Sequence, residues 1–248
     1  MPINTSLTLK SLSLVIDDIF VPSQLLPSLL YPSLTTQVDI ALVSGHSSDQ
    51  TAEWVKSLKT MLQNSPGLRT FNFSTGSTLT ADQILHVFTS IPFLTHLDLD
   101  IDCDIINNDF FLALTLFSPL SADLGNENVS ITPLLPHLTS LTLTLTELYS
   151  RSTIELPDPD VIVGMVLSRR QGLTTDGQTD PNSLHFTAER PDAASAMGVL
   201  QHFGFTARAR ACSASETAWA IRLRSLVAEK FWVSHDSSFT YQLDLGEF

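Results

Sequence analysis

Hydrophobic and polar residues alternate in short segments that recur along the chain. In the clearest copies, a leucine is followed three and five residues later by two more apolar residues. These copies are Leu9, Leu12 and Leu14; Leu68, Phe71 and Phe73; Leu94, Leu97 and Leu99; and Leu138, Leu141 and Leu143; two weaker copies end in Val38 and Ile40 and in Leu184 and Phe186. Such alternation is typical of a strand with one buried face. The pattern therefore predicts six strands.

The spacing of the copies indicates a repeat. Their middle apolar positions are residues 12, 38, 71, 97, 141 and 184, so successive copies lie 26, 33, 26, 44 and 43 residues apart. Two of these spacings match the period of about 20 to 29 residues in leucine-rich repeats. We interpret the longer spacings as repeats with inserted loops, over residues 118–133, 145–157 and 172–182, where turn-forming and polar residues cluster.

The segments between the strands predict helices. Residues 49–62 carry apolar side chains at helical spacing, Thr80 and Gln83 form a capping box, and Asp158 with Pro159 marks another helix start. Strands that alternate with helices pair in parallel through right-handed crossovers. The predicted fold is therefore α/β: a leucine-rich-repeat solenoid, or horseshoe, with a parallel sheet on its concave face and helices on its convex face.

The repeat pattern fades near residue 205. We assign residues 1–205 to the leucine-rich-repeat domain and residues 206–248 to a C-terminal capping segment, because terminal repeats are atypical. Within the capping segment, residues 217–227 fit both the helical and the strand period, so the sequence leaves their conformation open.

Composition narrows the range of functions. The chain has 248 residues, with 26 acidic and 13 basic side chains and a net charge of −13, which argues against nucleic-acid binding. No apolar run reaches the length of about 20 residues that a membrane-spanning helix needs, and the first residues lack the features of a secretory signal. Two cysteines provide no disulfide framework. We therefore expect a cytoplasmic or nuclear protein with no membrane partner.

Three short motifs carry a family resemblance. The segments SPGLRTF at residues 65–71, IPFLTHL at 91–97 and LPHLTSL at 135–141, together with the helix ending in Ser-Arg-Arg at residues 168–170, resemble the repeat region of the basidiomycete fungal F-box protein family. The similarity covers about residues 7–205. It implies a repeat surface that holds a target protein, while an F-box segment docks on the ubiquitin-ligase adaptor.

The printed sequence begins directly with a repeat strand, without an F-box-like helical segment. We therefore expect the ubiquitin-ligase adaptor as a partner only where an F-box lies upstream. The expected function is that of a non-enzymatic scaffold that binds a protein partner with a basic surface. A structural role, in which the solenoid packs against copies of itself, stays open as an alternative.

Alternate residues of each strand should line the concave surface. Copy by copy they are Ser11 and Ser13; Gln37 and Asp39; Thr70 and Asn72; His96, Asp98 and Asp100; Ser140, Thr142 and Thr144; and Ser183, His185 and Thr187. The candidate protein-binding residues are Asn72, His96, Asp98, Asp100, Asp102, Ser140, Thr142, Thr144 and His185. No cofactor or metal is expected, because Gly-rich phosphate loops and metal-ligand motifs are absent from the sequence.

Residues 97–104 alternate apolar residues with four aspartates, which are Asp98, Asp100, Asp102 and Asp104. In an extended strand these carboxylates share one face at a spacing of about 6.7 Å. Three interpretations remain: a solvated row, an acidic stripe for Lys or Arg of a partner, and a calcium site. Calcium is the least favoured, because an extended strand splays carboxylates that would have to converge on the ion.

An enzymatic alternative uses three residues of the same surface. His96 and Asp98 lie on one strand face, and Ser140 should lie on the next strand, which is the residue set of a hydrolase triad. No nucleophile-elbow motif accompanies it. Cys103 falls on the inward side of its strand, and we interpret it as a small core residue.

Overall fold

The computed structural model describes residues 10–16, 36–42, 48–75, 79–102, 105–116, 133–146, 156–170, 198–208, 214–231 and 240–244. The strands are β1 (Ser11–Ile16), β2 (Gln37–Leu42), β3 (Thr70–Thr75), β4 (His96–Asp102), β5 (Ser140–Thr146), β6 (His202–Arg208) and β7 (Thr240–Asp244). The helices are α1 (Ser48–Gln63), α2 (Ala81–Phe88), α3 (Asn108–Leu114), α4 (Pro159–Arg170) and α5 (Ala214–Phe231).

The seven strands of the described ranges form one parallel sheet in which the spatial order equals the chain order. Each strand pairs only with its sequence neighbours, and the register aligns equivalent repeat positions. One row across the sheet is Leu12, Val38, Phe71, Leu97, Leu141, Phe203 and Tyr241. The α/β class and the parallel sheet predicted from the sequence are thus confirmed.

The sixth strand differs from the prediction. The strand that pairs with β5 is β6. The sixth strand was predicted at the repeat copy of residues 184–186, which lies outside the described residues. Leu200, Phe203 and Phe205 repeat the spacing of Leu68, Phe71 and Phe73, so the sequence contained this signal. β6 spans the predicted division after residue 205, and β7 extends the same sheet. Residues 217–227, which fitted both periods, are helical within α5.

Side chains at the helix starts satisfy backbone N–H groups that the helix leaves unpaired. The predicted capping box is present: the Gln83 backbone N–H donates to Thr80 Oγ1 (3.3 Å), and the Thr80 N–H donates to Gln83 Oε1 (3.0 Å). At α4, the Asp160 N–H donates to Asp158 Oδ1 at 3.0 Å, which confirms the predicted helix start. The short helix α3 was not predicted.

The apolar rows of the sheet pack against the helices in one core. Trp54 of α1 stacks on Phe73 of β3 with ring centroids 6.0 Å apart, and Phe205 of β6 lies 5.9 Å from Trp219 of α5. Buried aliphatic and aromatic side chains stabilise the fold by about 1.5 to 3 kcal/mol each. The predicted leucine positions from Leu68 to Leu143 are therefore core residues.

The turns before β3, β4 and β5 share one hydrogen-bonded form. The backbone N–H of Leu68, Leu94 and Leu138 donates to the carbonyl three residues earlier, at 3.0, 3.1 and 3.2 Å. In each turn a proline follows that carbonyl residue, at the position where its fixed φ suits a β-turn. The recurring Pro-x-Leu motif therefore encodes the junction between one repeat and the next strand.

A ladder of backbone hydrogen bonds links these junctions. The Arg69 carbonyl accepts the N–H groups of Thr95 and His96, both at 2.9 Å, and the Thr95 hydroxyl at 3.0 Å. The Thr95 carbonyl in turn accepts the N–H groups of Thr139 and Ser140 and the Thr139 hydroxyl. The threonine after the turn leucine thus adds a side-chain hydrogen bond to the pairing of successive strands.

Arg169, in the last turn of α4, is fully buried. Its guanidinium donates to three backbone carbonyls: Nε to Leu114 O (2.5 Å), Nη1 to Leu135 O (2.9 Å) and Nη2 to Leu134 O (2.6 Å). Burial lowers the pKa of Arg169 to about 10, so the side chain is still cationic at neutral pH. This residue ties together α3, α4 and the turn before β5.

The inserted loops predicted at 118–133, 145–157 and 172–182 lie largely outside the described residues. The beginning of the second one belongs to β5, which runs to Thr146, and its last two residues lead into α4. The predicted strand at 97–104 ends at Asp102, and Cys103 and Asp104 lie outside the described residues.

Candidate interaction face

The side chains that alternate with the buried positions form what we call the polar face of the sheet. The strand register places them in three rows: Ser11, Gln37, Thr70, His96, Ser140 and His202; Ser13, Asp39, Asn72, Asp98, Thr142 and Gly204; and Val15, Ala41, Ser74, Asp100, Thr144 and Thr206. Seven predicted candidate residues, from Asn72 to Thr144, occur in these rows. Asp102 is the half-buried last residue of β4, and His185 lies outside the described residues.

The polar face is broad and open at its centre. His96, Asp98 and Asp100 of β4 are exposed, whereas the polar residues of the flanking strands β3 and β5 are half-buried. Neighbouring parallel strands lie about 4.8 Å apart, so seven strands span about 29 Å. A surface of this width fits a peptide or the edge of a protein.

Charge is unevenly distributed on the polar face. In the three rows defined above, Asp39, Asp98 and Asp100 are acidic and no residue is lysine or arginine. The next row along the strands pairs Asp102 with Thr146 and Thr146 with Arg208, so it contains one acidic and one basic residue. The acidic residues lie on β2 and β4, whereas β5 presents Ser140, Thr142 and Thr144. One part of the face is therefore anionic and the adjacent part carries hydroxyl groups.

Asp39 is held by amide groups. Gln37 Nε2 donates to both of its carboxylate oxygens, at 3.0 and 3.1 Å, and Asn72 Nδ2 donates to Oδ1 at 2.6 Å. These bonds link β2 to β3 and fix the Asn72 side chain. Asn72, a predicted binding residue, thus orients a neighbouring carboxylate.

Asp98 lies in a different environment. Partial burial raises its pKa, and the nearby charge of Asp100 raises it further. Two alternate residues of one strand lie about 6.7 Å apart, where like charges repel. A cation placed between these carboxylates would relieve that repulsion.

The ring of His96 is oriented by its sequence neighbour. Its Nδ1 lies 2.8 Å from Thr95 Oγ1, and that hydroxyl donates its single proton to the Arg69 carbonyl. Because that proton is used, Nδ1–H of His96 is the donor in this pair, and Nε2 then accepts in the neutral ring and donates in the charged ring. In a hydrolase triad, a carboxylate holds Nδ1 instead. The register does place Ser140 opposite His96, as predicted, but Thr95 occupies the position that Asp98 would need.

The residues on β5 and β6 pack closely. A side-chain carbon at Gly204 would lie 3.3 Å from Thr142 Cγ2 and 3.5 Å from His202 Nε2. Because residue 204 has no side chain, the side chains of Thr142 on β5 and His202 on β6 can both lie close to this position. His202 was not among the predicted residues, because the sixth strand was predicted at residues 183–187.

The described side chains contain no group of three His, Cys, Asp or Glu residues that could hold a metal ion. The described part of the chain also contains a cavity of about 10 Å³ between α1, β3 and α2, with an apolar lining that includes Trp54, Phe73 and Phe88. That volume is about one water molecule.

Comparisons with protein-family models, with curated proteins and with solved structures found no match to this chain. Within the ranges that the structure describes, no helix has the length and apolar character needed to cross a membrane.

Proposed function

We propose that the chain is a leucine-rich-repeat solenoid that acts as a non-enzymatic scaffold and binds a protein partner through the polar face. The observation that carries this proposal is the open face itself: seven parallel strands in chain order present aligned polar rows, and the central strand β4 is exposed there. Short polar side chains on a rigid sheet are suited to contact with a large partner.

The repeat assignment is supported by the junctions as well as by the leucines. The same turn hydrogen bond and the same proline recur before β3, β4 and β5. A unit that recurs with its own backbone hydrogen bonds is typical of repeat proteins, in which each unit packs on its neighbours. The resemblance to fungal F-box repeat regions adds a proposed role in substrate recognition by a ubiquitin ligase, where an F-box is supplied upstream.

A double variant of the polar face tests the proposed function. Ser74→Tyr with Thr144→Tyr places two large side chains beside Asp100 on half-buried strand positions that tolerate aromatic residues. The partner is first isolated with the wild-type protein, then purified and titrated. We expect the double variant to bind it at least tenfold more weakly, with the melting temperature nearly unchanged.

The matched control is Leu112→Tyr, at an exposed position of α3. We expect this variant to bind as the wild type does. If Leu112→Tyr abolishes binding and the polar-face variant binds normally, the partner uses the helical side of the molecule and the proposal is wrong.

A further inference from the structure

Helix α4 differs from α1 and α2 on the side that faces away from the sheet. On α1 and α2 the exposed residues include ionisable side chains such as Lys56 and His86. On α4, Val161, Gly164 and Leu167 follow one another at a spacing of three residues, which places them on one side of the helix. Gly164 is exposed, and the two apolar side chains beside it are half-buried. Solvent therefore contacts an apolar part of α4.

Gly164 lies at the centre of this surface, and no contact in the described part of the chain requires a glycine there. The residue is in the middle of α4, where glycine destabilises a helix relative to alanine because it loses more conformational freedom. A Cβ added to Gly164 would meet no atom within 4 Å, apart from its own helical turn. Alanine would thus fit in the folded chain. What the glycine adds is room for another backbone to approach α4 closely.

We propose that α4 crosses α4 of a second copy of this chain at Gly164, so that the protein forms a twofold dimer through its helical side. The charges of α4 favour a second copy over other partners. Asp160 lies in its first turn, and Arg169 and Arg170 lie in its last turn. In an antiparallel crossing, the acidic start of each helix lies over the basic end of the other. A partner helix with charges of one sign would be attracted at one end and repelled at the other.

The overall charge of the chain also favours this position for contact between copies. The net charge of −13 makes two copies repel each other, so contact is easiest where the surface is locally neutral. Residues 161–168 include no charged side chain. Beside them, Asp160 forms an ion pair with Arg222 of α5. The helices pack on the apolar face of the sheet, so this surface is separate from the polar face and the inference is independent of the proposed function.

Sedimentation equilibrium of the full chain, over a hundredfold range of concentration, measures the association. We expect a monomer–dimer equilibrium, and a monomer at every concentration would overturn the proposal. Gly164→Lys places a long charged side chain at the crossing point and should weaken dimerisation at least tenfold. The matched control is Ala52→Lys, at an exposed position of α1, which should change dimerisation less than twofold. Equal losses in the two variants would overturn the proposal, because they would show an effect of the added charge alone.

Gly164→Ala gives the sharpest test, because it should have opposite effects within one copy and between two copies. Within one copy the alanine fits and favours the helix, so the melting temperature of the monomer, measured at low concentration, should rise. Between copies the added methyl group keeps the two backbones apart, so dimerisation should weaken at least fivefold. A lower melting temperature would show that the fold itself requires the glycine, and unchanged dimerisation would show that the helices do not cross there. Either result overturns the proposal.

The polar-face variant Ser74→Tyr with Thr144→Tyr separates the dimer from the proposed function. We expect this variant to dimerise as the wild type does, and we expect Gly164→Lys to bind the purified partner as the wild type does. If the polar-face variant loses dimerisation while Gly164→Lys keeps it, the copies contact each other through the polar face and the inference is wrong.

Discussion

The turns that lead into β4 and β5 have the same sequence pattern, but different hydrogen bonds stabilise them. Both contain Pro-x-Leu-Thr and the same turn hydrogen bond. The turn before β4 continues directly from helix α2, where the Ser90 and Ile91 N–H groups donate to the Val87 and Phe88 carbonyls. The turn before β5 receives a buried cation instead, because Arg169 donates to the Leu134 and Leu135 carbonyls.

The two turns also differ in backbone conformation. Leu135 has a φ of 51°, in the left-handed region that L side chains other than Asn and Asp rarely adopt, whereas Ile91 at the equivalent position has no such φ. This conformation costs about 1 to 2 kcal/mol. Its buried side chain and the hydrogen bond from Arg169 to its carbonyl help to offset that cost. A local motif thus determines the hydrogen bond of each turn, and in the turn before β5 a residue distant in the chain also stabilises the backbone.

Among the variants that test this difference between the two turns, Arg169→Met should lose the most stability. Methionine fills much of the same space but leaves the Leu114, Leu134 and Leu135 carbonyls without the guanidinium donors. Leaving a buried hydrogen-bond acceptor without its donor costs about 1 to 3 kcal/mol, so two or three such carbonyls together cost on the order of 3 to 5 kcal/mol. We expect a loss of this size in the free energy of unfolding, measured by urea denaturation.

Arg222→Met serves as the control for loss of a cation. Arg222 of α5 forms an ion pair with Asp160 of α4. The Arg222 side chain is 61% exposed and the Asp160 side chain is 50% exposed. An exposed pair of this kind contributes about 0 to 1 kcal/mol. If the two methionine variants lose similar stability, Arg169 is not a special support of the turn before β5.

The second prediction concerns what the two turns share. Leu94 and Leu138 occupy equivalent positions and are fully buried. Leu94→Ala and Leu138→Ala should each cost about 2 to 5 kcal/mol, because each leaves a cavity in the core. Urea denaturation should give values within about 1 kcal/mol of each other. A much larger loss at one position would show that the repeats do not pack equivalently.

Local sequence patterns predicted much of the fold because they act through neighbouring residues. The Thr80 and Gln83 capping box and the alternation in β3, β4 and β5 are determined within a few residues, and all were predicted. The role of Arg169 was not, because its three acceptors are 34 to 55 residues away in the chain. From the sequence, Arg169 was predicted only to lie near the C-terminus of a helix.

For the candidate site, the sequence predicted which residues share a face but not how the side chains are oriented. Alternation placed Asp98, Asp100 and Thr142 on one face, because strand geometry alone determines that result. It did not show that Thr95 orients the His96 ring, since that depends on where the Thr95 hydroxyl donates. His202 was not predicted because the sixth strand was assigned to the weaker copy at Leu184 and Phe186 and not to Leu200, Phe203 and Phe205.

The smallest expected effect comes from the threonines that follow the two turns. Thr139→Val removes one hydroxyl hydrogen bond, to the Thr95 carbonyl, which keeps two backbone donors. We expect a loss of about 0.5 to 1.5 kcal/mol, the usual contribution of one hydrogen bond. Thr95→Val removes the equivalent bond to the Arg69 carbonyl and also the acceptor of the His96 Nδ1–H.

Thr95→Val should therefore cost as much as Thr139→Val and should also change the His96 ring. The nitrogen chemical shifts of His96 report this change, because without the hydroxyl nothing fixes Nδ1 as the protonated nitrogen. Thr139→Val should leave those shifts unaltered, since its hydroxyl contacts only the backbone. Unaltered shifts in both variants would mean that Thr95 does not determine the tautomer of His96.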